Sequence, residues 1–429
     1  MREMKDSGIS WVGEIPKEWS VKKIKHISYV IGGNGFNVEL QGLESGDYPF
    51  CKASDISNAG KYLNKAANYV TFDIVREQHY NIIPKGAILF PKIGEAMKKN
   101  NRTICVLDCC ADNNCQAIVP FERNSGMFLY YILTCVNMGW FDNAGTIPCM
   151  NNRKFLNSKV PFPSLDEQQR IADFLDRECG KIDVLKADIQ AQIDTLEQYK
   201  RSVITEAVTH GLNPSAPMKD SGVPWVGNIP KHWNCCSLKY NYNTISGATP
   251  NSNDISLWDG EIVWVTPADY KTNDVYVCSG ARKITYKGYL SCSTTLIKQG
   301  NIIFSKRAPI GSVAINKVEL CTSQGCLSVV SKTGNVNNKY FYYLFSVNDE
   351  TFNLFGSGTT FKEISAKDFL NVKFPLPPLD EQQEIADYLD NKCAEIEQII
   401  ADKKSQIETL DGYKKSLIYE YVTGKKEVG

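Results

Sequence analysis

The segment PLPPLDEQQEIADYLDNKCAEIEQIIADKKSQIETLDGYKKSLIYEYVT, residues 375–423, determines the architecture because the chain contains two copies of it. The earlier copy is PFPSLDEQQRIADFLDRECGKIDVLKADIQAQIDTLEQYKRSVITEAVT, residues 161–209, and each aligned position lies 214 residues before its partner (379 − 165 = 214). The same offset separates MKDSGISWVGEIPKEW, which begins at Met4, from MKDSGVPWVGNIPKHW, which begins at Met218. Solenoid repeats have periods of about 20–50 residues, so this period indicates a duplicated domain.

Both copies have clear helix ends. Ser164 and Glu167 are spaced as a capping box, in which the serine accepts a hydrogen bond from the first turn and the glutamate reaches back. Pro378 replaces the serine in the second copy, where proline geometry and acidic residues favour the start of the helix. Gly211 and Gly424 stand where C-terminal caps belong. Helices of about 40 residues would be roughly 60 Å long, longer than a globular core can cover.

The apolar residues of both helices recur in heptads, which predicts a coiled coil. We expect the helices to pair antiparallel, relating the two halves of the chain by a pseudo-twofold. Two amphipathic helices that each lie on their own domain are the alternative. The predicted coiled-coil positions are Leu175, Ile182, Leu185, Ile189, Leu196, Leu389, Ile396, Ile399, Leu410 and Leu417.

Each helix is preceded by a short lead and a variable body. The leads contain too many turn-forming and aromatic residues for a helix, and an extended segment packed on the long helices is expected. The bodies mix short β-rich runs, turn clusters and one helical segment. The predicted fold class is therefore α+β, with lead and first body in residues 1–160, the first helix in 161–212, lead and second body in 213–374, and the second helix in 375–429.

Length and cysteine usage indicate an intracellular protein. A chain of 429 residues can bury its own core without a metal or disulfide. Its 15 cysteines contain no C-x-x-C pair, which predicts reduced buried thiols and no zinc site. Since neither a signal peptide nor an apolar run of about 18 residues is visible, we expect a soluble cytoplasmic protein without a membrane partner.

Zero net charge conceals a segregation of charge between the modules. Residues 20–160 carry 16 basic and 11 acidic side chains, and residues 234–374 carry 14 and 10. The helical blocks are acidic, with 6 basic and 10 acidic side chains in residues 161–212 and 7 and 12 in residues 375–429. This division suits bodies that face a polyanion and helices that face another partner.

Catalytic signatures are missing from the sequence. It has no phosphate-binding loop, dinucleotide fingerprint, H-E-x-x-H or G-x-S-x-G motif, and only four histidines. The sequence therefore predicts a binding protein, with no catalytic residues.

Several loops of the bodies combine cations for phosphate with amides and hydroxyls that can read base edges. Ordinary solvated loops are the alternative interpretation of the same residues. Gln116 and Gln324 are the most distinctive pair, because each lies in a cysteine-flanked turn before an apolar strand. The predicted DNA-binding residues are Lys92, Lys98, Lys99, Arg102, Asn114, Gln116, Thr146, Asn152, Arg153, Lys306, Arg307, Ser323, Gln324, Thr359, Thr360 and Lys362.

These motifs carry a resemblance to a known family. The duplicated LDEQQ-IA-LD helix, the MKDSG-WVG-IPK-W leads and GSGTTFKEIS before PLPPL resemble the specificity subunit of type I restriction-modification systems from end to end. The resemblance implies two target-recognition domains that each read half of an asymmetric bipartite DNA target. It also implies helices that set the spacer and dock methyltransferase subunits.

The resemblance further implies that the chain itself has no cofactor. S-adenosylmethionine, ATP and Mg are expected on partner subunits, namely two methyltransferase (M) subunits and the motor and nuclease (R) subunits, on double-stranded DNA. Two other functions stay open on the residues alone: a coiled-coil adaptor that binds protein without DNA specificity, and an enzyme, such as a deaminase or hydrolase, that uses the cysteine-rich turns.

Overall fold

The computed structural model describes residues 2–143, 145–270, 275–307, 309–356 and 362–428. The chain divides into two compact units, the first formed by Met1–Ile189 with Ser405–Gly429 and the second by Gln190–Lys404. Each unit combines one lead, one body and segments of both long helices.

The first unit holds a five-stranded sheet in the order β4-β11-β8-β9-β6 and a three-stranded sheet in the order β10-β5-β7. Its strands are β1 (Met4–Asp6), β2 (Glu14–Pro16), β3 (Ser20–Lys23), β4 (Ser28–Gly32), β5 (Tyr48–Cys51), β6 (Tyr62–Leu63), β7 (Tyr69–Val70), β8 (Ile88–Pro91), β9 (Thr103–Cys105), β10 (Cys110–Ala111), β11 (Cys115–Pro120) and β12 (Lys159–Phe162). Its body helices are α1 (Ala53–Ala59), α2 (Phe72–Glu77), α3 (Glu95–Lys98), α4 (Gly126–Thr134) and α5 (Asn152–Asn157). The long helix α6 (Leu165–His210) follows.

The second unit repeats this plan, with sheet orders β16-β23-β20-β21-β18 and β19-β17-β22. Its strands are β13 (Met218–Asp220), β14 (Asn228–Pro230), β15 (Asn234–Ser237), β16 (Tyr242–Ser246), β17 (Trp258–Val265), β18 (Tyr276–Val277), β19 (Arg282–Ile284), β20 (Ile302–Ser305), β21 (Val313–Asn316), β22 (Cys321–Thr322), β23 (Cys326–Ser331) and β24 (Lys373–Leu376). Its helices are α7 (Tyr286–Leu290), α8 (Asn338–Ser346), α9 (Asp349–Phe355), α10 (Ala366–Asn371) and the long α11 (Leu379–Val422).

The central strands of both five-stranded sheets are buried on both faces. Ile88–Pro91 in the first body and Ile302–Ser305 in the second are inaccessible throughout, and each pairs antiparallel with two neighbours. Continuous apolar runs suit this position because neither side of the strand meets water. The two bodies share one fold although their sequences differ, so the predicted α+β class and the internal repeat are confirmed.

Within each unit the two long helices run antiparallel. In the first unit Asp183 pairs with Lys414 at 2.6 Å and Lys186 pairs with Asp411, and both pairs of residue numbers sum to 597. In the second unit Lys200 pairs with Glu397, which gives the same sum. A constant sum is the register of antiparallel helices, so the predicted antiparallel pairing is confirmed.

The seam of the coiled coil differs from the predicted heptad at one position. Leu175, Ile182, Ile189, Leu389, Ile396 and Leu417 are buried, and Leu196 and Leu410 are partly buried. Leu185 and Ile399, however, are 48% and 45% exposed, so their placement in the seam was wrong. Ile193 and Ile400 are buried instead, four residues after Ile189 and Ile396.

In α6 the residue at this seam position is a lysine. Lys186 occupies the seam position next to Leu185, and Lys200 occupies the equivalent position two heptads later. Their stems lie partly buried between the helices while the ammonium groups reach carboxylates of the partner helix. In α6, hydropathy alone therefore favours Leu185 over Lys186. In α11 the two candidates, Ile399 and Ile400, are both apolar, so hydropathy does not distinguish them.

The leads form β-hairpins, β1 with β2 and β13 with β14, rather than a single extended segment. Ile9, Val12 and Ile15 of the first lead are buried with Leu417 and Val422 of α11. The prediction that the leads pack on the long helices is therefore correct. Gly211 and Gly424 adopt φ of +77° and +71° after the helices, as expected of C-terminal caps.

Candidate nucleic-acid interface

Three segments of the first body meet at Lys92, the residue after the central strand β8. The Lys92 amide donates to the Asn114 carbonyl at 2.7 Å, and the Met150 amide donates to the Lys92 carbonyl at 2.9 Å. Ile93 and Cys149 form an adjacent antiparallel bridge. The turn before β11 and the segment before α5 are thus held against one end of the sheet.

A glycine allows a fourth loop to join this end. A Cβ on Gly33 would lie 1.9 Å from the Asp112 carbonyl oxygen, so no other residue allows this approach of the two backbones. The neighbouring Asn34 accepts a 2.7 Å hydrogen bond from the Asn81 amide, and the Asn81 side chain donates to the Gly32 carbonyl at 2.9 Å. These asparagines add amide groups to the loop cluster.

The positive charge of this cluster is largely unneutralised. Within the described ranges, Lys92, Lys99 and Arg153 form no salt bridge, whereas Lys98 pairs with Glu95 at 2.9 Å on its own helix. Thr146 is exposed on the segment that leads into α5, and Asn152 and Arg153 are exposed in the first turn of that helix. Such cations, with amides nearby, can contact phosphates and base edges.

The second body builds the same junction at Lys306, 214 residues after Lys92. The Lys306 amide donates to the Gly325 carbonyl at 3.0 Å, and the Ile364 amide donates to the Lys306 carbonyl at 3.0 Å. Arg307 and Glu363 form the bridge that corresponds to Ile93 and Cys149. Gly247 takes the place of Gly33, since a Cβ there would lie 2.0 Å from the Thr322 carbonyl oxygen.

The electrostatics of the two junctions differ. Lys306 and Arg307 both pair with Glu363, at 2.9 and 2.8 Å. Burial acts to raise the pKa of Glu363, but the hydrogen bonds and charges of these two cations lower that pKa overall. At the second junction the two cations are therefore paired with one carboxylate. At the equivalent positions of the first junction, Lys92 has no acidic partner among the described residues and Ile93 carries no charge.

The two glutamines occupy unlike environments. Gln324 is exposed and bonded to the Thr249 hydroxyl, where a ligand can reach it. Gln116 is 1% exposed and donates to the Met150 sulfur at 3.2 Å, and Ser323 is also buried. Gln116 and Ser323 therefore have almost no surface at which DNA could contact them, which the sequence spacing could not reveal.

Arg102, another predicted DNA-binding residue, is also buried. It is 6% exposed and donates to the carbonyls of Asn100 and Val136 at 3.2 and 3.3 Å. Lys362 is exposed, and Thr359 and Thr360 lie outside the described residues.

Aromatic residues near the junctions were missed by the sequence analysis. Phe36 stacks on Phe50 with ring centroids 3.7 Å apart, and Lys52 lies over the Phe36 ring. In the second body Arg282 lies 3.5 Å from the centroid of the Trp258 ring. The glycine pair Gly32-Gly33 and the glycine at Gly247 were the available signals that these loops approach the sheet.

Two cysteines in the predicted cysteine-rich turns, Cys110 and Cys321, are buried thiols. Burial raises the pKa of Cys110 to about 12 and that of Cys321 to about 11, so both stay protonated at neutral pH. Among the described residues, no group of three or more His, Cys, Asp or Glu side chains is arranged to hold a metal ion. No helix in the described part of the chain is long and apolar enough to cross a membrane.

Fold and junctions together define a class: a duplicated binding protein with two similar bodies, each presenting a cation and amide groups at one end of its sheet. The family model for the type I restriction modification DNA specificity domain matches residues 16–195 and again residues 230–409. The chain belongs to this family.

Comparison with known proteins indicates the same family. The chain is 27% identical to a Methanocaldococcus jannaschii protein provisionally named type I restriction enzyme MjaX specificity subunit, over 97% of this chain and 96% of that one. It is 35% identical to the type I restriction enzyme MjaIX specificity subunit of the same organism, over 43% of each chain. A solved structure concerned with complex assembly and conformational transition of the type I R-M system has a similar fold, with TM-score 0.70, 17% identity and coverage of 96% and 99% of the two chains.

Proposed function

We propose that this chain is the DNA sequence-recognition subunit of a type I restriction-modification complex, in which each body reads one half of an asymmetric bipartite target. The observation that supports this most directly is the repeated junction. Lys92 and Lys306 stand at the same point of the same fold, with different residues around them.

A protein that recognises a bipartite DNA target needs two domains of the same fold with different loops. Lys92, which has no acidic partner among the described residues, can hold a phosphate, and the Lys306–Arg307–Glu363 cluster keeps one excess positive charge that can do the same, which fixes each body on the duplex without reading sequence. The residues around the two lysines differ, such as Arg153 in the first body and Gln324 in the second, and arginine pairs with guanine whereas glutamine pairs with adenine. The two half-sites would then have different base sequences.

The long helices supply the distance between half-sites and the docking surface. Helices of 46 and 44 residues are roughly 65–70 Å long at 1.5 Å per residue. Reading two half-sites on one face of a duplex calls for a separation of about 34 Å or a multiple of it. We propose that two methyltransferase subunits dock on these helices and that motor and nuclease subunits complete the complex.

Chemistry in this scheme belongs to the partners. The chain is proposed to be non-catalytic, and S-adenosylmethionine, ATP and Mg would be bound by the methyltransferase and motor subunits.

Mapping methylated motifs in the source genome, with and without this gene, tests the proposal. Loss of one bipartite motif upon deletion is expected. Replacing residues 234–374 with the second body of a relative should change one half-site and leave the other half-site and the spacer unchanged. An unaltered methylation pattern after deletion would instead favour the protein-binding adaptor.

A further inference from the structure

Each long helix carries an aspartate that binds its body through a tyrosine and a lysine. In the first unit Asp176 of α6 accepts a 2.6 Å hydrogen bond from the Tyr131 hydroxyl of α4 and pairs with Lys61. We call these three residues the first latch. Lys61 also lies 4.8 Å from the centroid of the Tyr131 ring, which adds a cation–π contact.

The second unit has an equivalent latch, formed by Asp390, Tyr343 and Lys339. The Tyr343 hydroxyl of α8 donates to Asp390 of α11 at 2.8 Å, and Lys339 pairs with the same carboxylate. Asp390 lies 214 residues after Asp176, and α8 starts 212 residues after α4, which matches Tyr343 with Tyr131.

The two lysines come from different elements. Lys61 precedes the edge strand β6, and its equivalent in the second body is Val275. Lys339 lies in α8, and its equivalent in the first body is Met127. A cation therefore reaches the same carboxylate from two unrelated places, which indicates that the charged contact itself is required and not one inherited lysine.

Each latch is the second of two attachments between a body helix and a long helix. The Gln168 side chain accepts a 3.1 Å hydrogen bond from the Ser125 amide at the start of α4, and Gln382 accepts one of 2.8 Å from the Asn337 amide at the start of α8. The aspartates follow these glutamines by eight residues, about 12 Å along the helix axis. A helix attached at one point can swivel, whereas two attachments fix its direction.

Packing alone explains the burial of α4 and α8 but not the choice of a charged contact. Partly buried ion pairs add little to stability, because desolvation offsets much of the attraction, but their geometry is directional. A small rotation of a body about the glutamine would displace its Lys92 or Lys306 junction, which lies on a different part of the body.

We propose that Asp176 and Asp390 are positioning residues that fix the angle of each body on its long helix and so restrict the spacer that the protein accepts. This inference rests on the proposed function. It assigns spacer selectivity to the latches, separately from the loops that read bases.

Methylation by the assembled complex, on substrates whose spacer is native, one base pair shorter or one base pair longer, tests the inference. The wild-type complex should favour the native spacer by about tenfold or more, since a misplacement of about 1 Å can cost up to a hundredfold in rate. Asp176→Asn and Asp390→Asn should each reduce that preference to about threefold, with unchanged half-site bases. Asp188→Asn, an exposed change on the same helix, is the matched control.

Lysine variants separate positioning from folding. Lys61→Met should broaden the accepted spacers while Lys61→Arg, which keeps the charge, should not. Undiminished selectivity in Lys61→Met and in a folded Asp176→Asn/Asp390→Asn double variant would overturn the latch. If the wild-type complex showed no bipartite preference at all, the proposed function itself would fail.

Discussion

The indole nitrogen of Trp19 donates a 2.9 Å hydrogen bond to Glu167, a carboxylate 148 positions later in the chain. Trp233 and Glu381 repeat this contact at 2.7 Å with the same separation. The lead of each unit is therefore attached to the first turn of a long helix by the glutamate of the LDEQQ motif. This contact explains why lead and helix keep their residues together while the bodies diverge.

The contact also corrects the predicted capping box. The Glu167 amide donates to the Ser164 hydroxyl at 3.4 Å, as expected, but the carboxylate binds Trp19 and Arg2 instead of reaching back to the serine. Sequence spacing identified the cap but not the tertiary partner of the glutamate.

Removal of the indole donor should destabilise the first unit. Trp19→Phe keeps the buried ring but leaves a carboxylate oxygen of Glu167 without its donor, which costs about 1–3 kcal/mol. We expect a lower midpoint in thermal or urea unfolding, and a similar effect for Trp233→Phe. Trp140→Phe, at a half-exposed indole, should leave the midpoint nearly unchanged; equal midpoints for all three variants would contradict the role of the contact.

Two glycines near the end of α11 should respond to alanine in opposite directions. Gly424 has φ of +71° and a Cβ there would lie 2.4 Å from Pro16 Cδ, so Gly424→Ala should lower stability. Gly412 lies within α11, and a Cβ there would meet nothing within 4 Å. Gly412→Ala should therefore raise stability by about 0.5–1 kcal/mol. Urea unfolding of both variants checks the pair, and a loss of stability in Gly412→Ala would show that its surroundings are tighter than described.

Substitutions of Gln324 and Gln116, the two glutamines predicted to contact bases, should have different effects on the DNA sequence that is recognised. Gln324→Leu removes an exposed amide and should relax one position of one half-site, at a discrimination of about 1–3 kcal/mol per base pair. Gln116→Leu changes a buried side chain and should leave the recognised bases unchanged. Sequencing of the methylated sites in cells that carry each variant measures both effects. A change of recognised bases in Gln116→Leu but not in Gln324→Leu would show that Gln116, and not Gln324, contacts the DNA.

The exposed apolar residues of the long helices should matter for assembly and little for folding. Leu185 and Tyr413 in the first unit, and Ile399 and Tyr199 in the second, are 45–58% exposed at repeat-related positions. Leu185→Ser and Ile399→Ser should weaken methyltransferase binding by about tenfold each with little change in unfolding. The buried Leu175→Ala should instead lower stability by about 2–5 kcal/mol. Titration calorimetry and unfolding curves distinguish the two outcomes, and unchanged affinity in both serine variants would remove this surface from the docking proposal.

The Glu363 cluster should give a defined pH dependence. Because its folded-state pKa is lowered from 4.5, the ionised carboxylate contributes stability that is fully present above the unfolded pKa and is lost as pH falls through the folded value. The difference in unfolding free energy between wild type and Glu363→Gln should therefore be constant from neutral pH to about 5 and shrink below it. Glu350→Gln in α9 is the control for general acid effects, and a difference that grew on acidification would contradict the sign.

Many features of the fold could be predicted from local patterns in the sequence. A fixed 214-residue offset shows the duplication, glycines after the apolar repeats mark the ends of the long helices, and turn-rich leads exclude a helix there. The pairing of the two helices followed from heptads because a helix face is defined by residues three or four apart. Its antiparallel direction followed from the duplication, since each helix comes after its own body.

Tertiary structure alone decided which side chains meet and which are exposed. Lys186 replaces Leu185 in the seam because its ammonium reaches Asp411, a residue of the other long helix. Gln116 is withdrawn from the surface by Met150, and the two latches recruit lysines from unrelated elements. The burial of a side chain and its hydrogen-bond partners depend on residues tens to hundreds of positions away in the chain. Helix caps and helix periodicity, in contrast, depend on residues within a few positions of each other, and the duplication is visible by direct comparison of the two halves of the sequence.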